Sequence, residues 1–213
     1  METFRVIDIE TWQRRDLFRF YQRFASPNYN VSVSLDAALL YRFAKEQGHS
    51  FFLLSCYAIA RALNSVPEMR QRFLDENTVA EYDVIHPSCP LAREGSDFFV
   101  QVLLPYKATF RDFEKTAQPV VDAVRCGKIT ESDFKEMPNL FCASCVPWFE
   151  SEGVVVAEYS FNQAEQVITW FKMNDSGKMT ISGRFNHAFT DGIHLGRFFS
   201  AVQENFSNPE KLF

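Results

Sequence analysis

The sequence predicts a two-layer α/β sandwich, and three observations point there. Segments with helical spacing of apolar residues alternate along the chain with runs of strand-like alternation, six or more of them strands. Apolar residues make up 46% of the 213 positions, and 23 Phe against 8 Gly mean that large rings fill much of the interior. No internal repeat, low-complexity tract or Pro/Gly-rich linker divides the chain, so residues 1–213 read as one domain.

The elements follow in order. Thr11 caps a predicted helix from Trp12 to Phe24, with Leu17, Phe20, Tyr21 and Phe24 on one face. Val31, Val33 and Leu35 alternate with Ser32 and Ser34, a strand pattern. Asp36 caps a short helix ending near Glu46, and Ser50 caps the most apolar helix, Phe51 to Asn64, which is expected to be buried. Strands then return, with a turn at Asp75-Glu76-Asn77 followed by Thr78–Ile85 and Phe98–Leu104. Thr109 opens an amphipathic helix to Arg125, with Pro119 as a candidate bend. Strand-like runs cover Leu140–Val146, Val154–Tyr159 and Val167–Met173. The turn signal Asn174-Asp175-Ser176-Gly177 leads into a last strand, where Met179, Ile181, Gly183 and Phe185 alternate with Thr180, Ser182 and Arg184. Leu195, Phe198, Phe199, Val202 and Phe206 fall at helical spacing in a final helix.

Charge and cysteine usage exclude several functions. A net charge of −5 argues against nucleic-acid binding, which rests on clustered Lys and Arg. The N-terminus carries no apolar signal core, and the longest apolar stretch, Phe51 to Leu63, is broken by Ser55 and Arg61. A soluble, cytoplasmic protein without membrane attachment is expected, its five cysteines free. No Gly-rich strand–turn–helix fingerprint is present, so a dinucleotide or nucleoside-triphosphate site is not expected. Cys142 and Cys145 form a Cys-x-x-Cys pair, but residues three apart on a strand point to opposite faces. His194 has no Cys or His pair beside it, so it reads as a core or surface histidine and no metal site is expected.

The segment most able to carry chemistry is Phe185-Asn186-His187-Ala188-Phe189-Thr190-Asp191-Gly192, where a strand ends and a helix begins. Histidine is the side chain best matched to proton transfer near neutral pH, with an ordinary pKa of about 6.5. Asp191, four residues on, serves either as a brace for the turn or as the N-cap of the last helix.

His-x-x-x-Asp-Gly at such a junction resembles the motif of the chloramphenicol acetyltransferase family, which dihydrolipoyl acyltransferase cores share. Trp12-Gln13-Arg14-Arg15-Asp16-Leu17-Phe18-Arg19-Phe20-Tyr21 looks like that family's Trp-x-Arg-Arg-x-x-Phe-x-Phe-Tyr, and Ser144-Cys145-Val146-Pro147-Trp148 its Ser-x-x-Pro-Trp. Pro105-Tyr106 and Val167-Ile168-Thr169 fall at the expected places. The resemblance covers nearly the whole chain and implies a mixed sheet with helices packed on one face. It implies transfer of an acetyl group from acetyl-CoA to an acceptor hydroxyl within a ternary complex, chloramphenicol being the named acceptor and antibiotic resistance the named role. His187 matches the general base and Ser144 the donor to the oxyanion of the tetrahedral intermediate. Thr169 matches a supporting threonine, and Arg14 and Asp191 an ion pair that fixes the His loop. The resemblance further implies a homotrimer in which His187 faces Ser144, Thr169 and the acceptor pocket of a neighbouring subunit.

By the same resemblance Phe20, Tyr21, Phe99, Gln101, Val154 and Val156 fall at acceptor-pocket positions, and Trp148 and Lys172 at the CoA site. Gln101 stands where a small Ala is usual, Ala25 where Leu is, and Val154-Val155-Val156 replaces a stretch carrying Phe and Leu. Met173 stands in place of a Tyr, Ser50 of a Lys, and Asn186 of the first His of a His-His pair. A more polar acceptor and weaker CoA binding follow as expectations, since a buried Gln needs hydrogen-bond partners. Two other readings stay open: an acyltransferase for a more polar hydroxyl or amine metabolite, and a non-catalytic ligand-binding homologue.

Overall fold

The computed structural model describes residues 3–132, 137–158 and 164–213. Its elements are β1 (Phe4–Ile7), α1 (Arg15–Tyr21), β2 (Asn28–Asp36), α2 (Ala38–Gln47), α3 (Phe51–Asn64), β3 (Gln71–Asp75), β4 (Thr78–Tyr82), β5 (His86–Ala92) and β6 (Phe99–Leu103). They continue with α4 (Phe110–Arg125), β7 (Leu140–Val146), β8 (Val167–Phe171), β9 (Lys178–Asn186) and α5 (Gly192–Ser207). Six strands form one sheet in the order β2-β9-β8-β7-β5-β6. It is mixed, because β7 runs parallel to both β5 and β8 while the other pairs are antiparallel. The α/β class is as the sequence predicts. The remaining strands form a small antiparallel sheet, β1-β4-β3, which the sequence pattern does not separate.

Local chemistry accounts for the starts of two helices. Ser50 accepts from the Leu53 N–H at 3.3 Å and starts α3, ten of whose 14 residues are buried. Thr109 accepts from the Asp112 N–H at 3.2 Å and starts α4, whose Phe110, Phe113, Ala117, Val121 and Val124 form one apolar stripe. Pro119 sits inside α4 on its exposed side, where water can satisfy the carbonyl that loses its partner. The turn before β9 needs Gly177: its φ is +77°, and a Cβ there would lie 2.7 Å from Ala38 Cβ.

Strand alternation sorts the large sheet into two faces. Phe141, Ala143, Ile168, Trp170, Met179, Ile181 and Phe185 are buried in one core with residues of α2, α3, α4 and α5. Their strand neighbours Ser144, Thr169, Ser182 and Ser32 belong to the opposite face, on which Thr169 and Ser182 are buried. A second core joins Phe18, Val79, Ala164, Ala188 and Phe189, with Trp12 and Phe73 packed against it. It seats α1 and the small sheet against the loop that follows β9.

Three expectations are corrected. The first helix starts at Arg15 and ends at Tyr21, because the Thr11 hydroxyl is drawn back to Asp8 Oδ2 at 3.1 Å and caps nothing downstream. Residues 154–158 are not strand: Val154 is held by Ser182 Oγ, which accepts from its N–H at 3.3 Å and donates to its carbonyl at 3.0 Å. Tyr159, the last residue of that expected run, lies outside the described residues. β5 is an added strand despite Pro87 and Pro90. Pro90 lies beyond His86–Ser88, the stretch that pairs with β7, so its missing N–H interrupts no part of that pairing.

Candidate active site

The loop after β9 is built from its own polar groups. Asn186 Oδ1 accepts from the Ala188 N–H at 2.8 Å, and the Asn186 carbonyl accepts from the N–H groups of Phe189 and Thr190 and from the Thr190 hydroxyl, each at 3.1 Å. The His187 N–H donates to the Pro27 carbonyl at 2.9 Å. Arg14 then clamps the loop from the far end of the chain. Its Nε donates to the Ala188 carbonyl at 2.8 Å and its Nη2 to the His187 carbonyl at 2.9 Å. Both Nη atoms grip the Asp191 carboxylate, Nη2 at 2.7 Å from Oδ1 and Nη1 on Oδ2. Those hydrogen bonds hold the Asp191 carboxyl below the usual carboxylate range, against the upward pull of partial burial.

His187 lies between two tyrosines. The Tyr21 ring stacks on it with centroids 4.3 Å apart and planes 10° apart, and the Tyr29 ring covers it from 4.5 Å at 34°. The Tyr29 hydroxyl donates to the Thr190 carbonyl at 3.1 Å, and burial raises its pKa above the ordinary value. Nδ1 of His187 comes within 3.0 Å of Asp191 Oδ1, but the approach is off-line and Nδ1 makes no hydrogen bond among the described residues. Phe20 stands beside Tyr21 with ring centroids 5.1 Å apart.

A second group of the predicted residues assembles elsewhere. Ser144 on β7 pairs with Thr169 on β8, Thr169 with Ser182 on β9, and Ser182 with Ser32 on β2, making a row of hydroxyls across the face turned away from the helices. Gln101 lies on the edge strand β6 with Phe99, and its Nε2 donates to Ser88 Oγ at 2.7 Å. Val154 and Val156 are half-buried in the segment after β7. Gly153 brings that segment so close to the sheet that an added Cβ would meet Ser32 Oγ at 2.2 Å.

One chain does not bring the two groups together. His187 lies five residues along from Ser182, the partner of Thr169, a separation of about 16 Å at ~3.3 Å per residue.

A cavity of about 530 Å³ opens beside Cys145, the residue after Ser144. Trp148, Trp170, Phe51 and Phe52 give it aromatic walls, and Lys172 and Arg125 bring positive charge to it. Neither cation has an ion-pair partner among the described residues. Met173, at the position where the resemblance places a Tyr, also lines it, and the Ser50 hydroxyl is engaged as the α3 cap. Sequence reading missed Arg125, which closes α4 from far away in the chain, and Tyr29, which no motif marked.

The two motif cysteines diverge as expected. Cys145 packs against the core, while Cys142 feels the Arg184 charge. Burial pushes their thiols up to about 11 for Cys142 and about 12 for Cys145, so both stay protonated at neutral pH.

A profile of the family described as chloramphenicol acetyltransferase matches residues 2–203. The chain belongs to that family. It is an acyltransferase of that family, with 27% identity over 208 residues to a chloramphenicol acetyltransferase of Escherichia coli, covering 94% of this chain and 93% of the relative. A Staphylococcus aureus chloramphenicol acetyltransferase is 24% identical over 97% of each chain. Among solved structures, a chloramphenicol acetyltransferase superposes with a TM-score of 0.83 at 26% identity, covering 96% of this chain and 99% of its own. A probable dihydrolipoamide acetyltransferase from Listeria monocytogenes shares the fold, with a TM-score of 0.64 at 17% identity over 95% of this chain and 94% of its own. Asn186, at the position where the resemblance places a histidine, has a side chain that accepts from the Ala188 N–H and so braces the loop.

Proposed function

We propose that this chain transfers an acetyl group from acetyl-CoA to an acceptor hydroxyl, with His187 as general base and chloramphenicol as the first acceptor to test. The carrying observation is the clamp of Arg14 on the His187–Asp191 loop, which fixes an imidazole flanked by two rings at the end of a rigid strand. A hydrogen on Nδ1, the nitrogen nearer the Asp191 carboxylate, leaves Nε2 with a lone pair. Nε2 takes the hydroxyl proton as the acceptor oxygen attacks the thioester carbonyl. Ser144 donates to the oxyanion, with Thr169 beside it. The C–S bond then breaks, the ester leaves, and the proton passes to the CoA thiolate. Transfer is direct, within a ternary complex, and no acyl-enzyme forms.

The second substrate fits the cavity. Aromatic walls suit the adenine and the pantetheine arm of CoA, and Lys172 and Arg125 suit its phosphates. Those residues and Trp148 hold CoA in this reading. Because Met173 offers no ring to stack on adenine and Ser50 no charge, CoA binds weakly, with Kd above the submicromolar range by calorimetry.

The separation of His187 from Ser144 along one sheet supports a site shared between copies. A closed ring in which each His187 faces the next chain's Ser144 completes it, and the family resemblance makes that ring a homotrimer. No described helix is long and apolar enough to cross a membrane. The five unpaired cysteines suit the reducing cytoplasm.

The experiment mixes purified protein, acetyl-CoA and chloramphenicol and follows release of free thiol. Turnover abolished by His187→Ala is the expected result. Silence with every hydroxyl or amine acceptor tried, together with tight binding of another ligand, would replace this reading with that of a binding protein. A second reading, a more polar acceptor, is favoured by Gln101: its Nε2 gives one hydrogen to Ser88, which leaves its other N–H to donate to, and its Oε1 to accept from, a polar substrate.

A further inference from the structure

His194 is neither a plain core filler nor a surface residue. It stands in the first turn of α5 with its side chain 11% exposed, and its Nδ1 accepts from the Asp191 N–H at 2.8 Å. The His194 N–H in turn donates to the Asp191 carbonyl at 2.9 Å. The ring therefore does what a Glu or Gln does in a capping box, reaching back to the N-cap N–H. Unlike those residues it has a second nitrogen, and Nε2 lies 3.5 Å from Glu68 Oε1 on the short turn Pro67–Arg70. Glu68 Oε2 is buried without a hydrogen-bond partner among the described residues.

An accepting Nδ1 carries a lone pair, so the ring is neutral and its hydrogen sits on Nε2, toward Glu68. We propose that His194 is a positioning residue for His187 that works only in this neutral tautomer. A proton on Nδ1 would set two N–H donors against each other at 2.8 Å, and the Asp191 backbone must then move. Asp191 carries the carboxylate that Arg14 grips and that lies beside His187, so the disturbance reaches the base. The proposal rests on the acyl-transfer reading only for its consequence in catalysis.

The groups facing His194 oppose one another. Burial, the largest influence, lowers its pKa, as do the Arg14 and Arg197 charges, while Glu68 and Asp191 raise it. The balance lies below the ordinary value, so the neutral ring is the form present at pH 7.

The test uses full-length protein labelled with ring-13C histidine. Only four histidines are present, and His194→Gln removes and so assigns one set of signals. Cδ2 shifts separate the two neutral tautomers. The expected result is the Nε2–H tautomer for His194 near neutral pH, with His187 signals that move at the His194 midpoint in wild type and not in His194→Gln. A protonated or Nδ1–H His194 at neutral pH, or His187 signals that pass the His194 midpoint unchanged, would overturn the proposal. This readout holds whether or not acetyl transfer is found. If it is, Gln keeps an acceptor for the Asp191 N–H, so His194→Gln keeps kcat and loses one step of the acid limb. His194→Leu lowers kcat by up to about 100-fold with KM unchanged. Equal losses in both variants with an unaltered acid limb would mark a structural role alone.

Discussion

Tyr21 lies flat on His187, with ring centroids 4.3 Å apart and planes within 10°, while Tyr29 closes the opposite side. An imidazole held between two rings cannot swing about its side-chain torsions without losing both contacts. Rate depends steeply on where a base sits, so this stacking belongs to catalysis as much as to packing. Tyr21→Ala is expected to lower kcat by on the order of 10- to 100-fold, whereas Tyr21→Phe keeps the stack and most of the rate. Tyr29→Phe removes the hydroxyl and its bonds to the Thr190 carbonyl and Thr190 Oγ1, and costs about 1 kcal/mol in urea unfolding. Steady-state kinetics on Tyr21→Ala with an unchanged kcat would show that the ring is dispensable.

The Arg14–Asp191 pair makes a signed prediction in pH. Asp191 has a folded pKa below its unfolded value of about 3.9, chiefly through the hydrogen bonds from Arg14. A depressed carboxylate contributes stability that is fully present above that unfolded value and is lost as pH falls through the folded pKa. Arg14→Met is expected to cost about 2 kcal/mol at pH 7, because the carboxylate is partly covered and its partner is gone. The gap between variant and wild type then narrows below about pH 3.9. Unfolding curves at both pH values check it, and a gap that stays constant would place the cost in lost packing.

The sequence is legible where a decision is local. Ser50 and Thr109 start their helices through their own hydroxyls, and strand alternation alone separates Ser144 and Thr169 from Ala143 and Ile168. It is illegible where partners lie far apart. α1 is short because Thr11 turns back to Asp8, and the guanidinium at its start is committed to Asp191, 177 residues away. β5 is hidden because prolines argue against an interior strand, and only the extent of pairing with β7 makes Pro90 harmless. Tyr29 carries no motif at all, since its value lies in reaching Thr190 across the chain.

Gln101 tests the acceptor. Its amide is anchored by Ser88 at 2.7 Å, so it stands as a fixed polar group at the position where the resemblance places a small residue. Gln101→Ala is expected to shift selectivity toward apolar acceptors by about 1 kcal/mol, roughly fivefold in relative kcat/KM. A panel pairing chloramphenicol with more polar hydroxyl acceptors measures this. Unchanged relative rates would remove Gln101 from the pocket and leave its amide a purely structural partner of Ser88.

The distance between His187 and Ser144 within one sheet yields the most decisive experiment. If each site takes His187 from one chain and Ser144 from the next, His187→Ala and Ser144→Ala proteins are each nearly inactive for different reasons. Unfolded together in equal amounts and refolded, they form mixed rings. A working site then needs the base from a Ser144→Ala chain and the serine from a His187→Ala chain. Random assortment gives that pairing at about a quarter of the interfaces, so about a quarter of wild-type activity returns. Sedimentation of the refolded material establishes that rings have formed. Rings that form and stay inactive would mean that no site draws His187 and Ser144 from different copies, and the shared-site reading would fall.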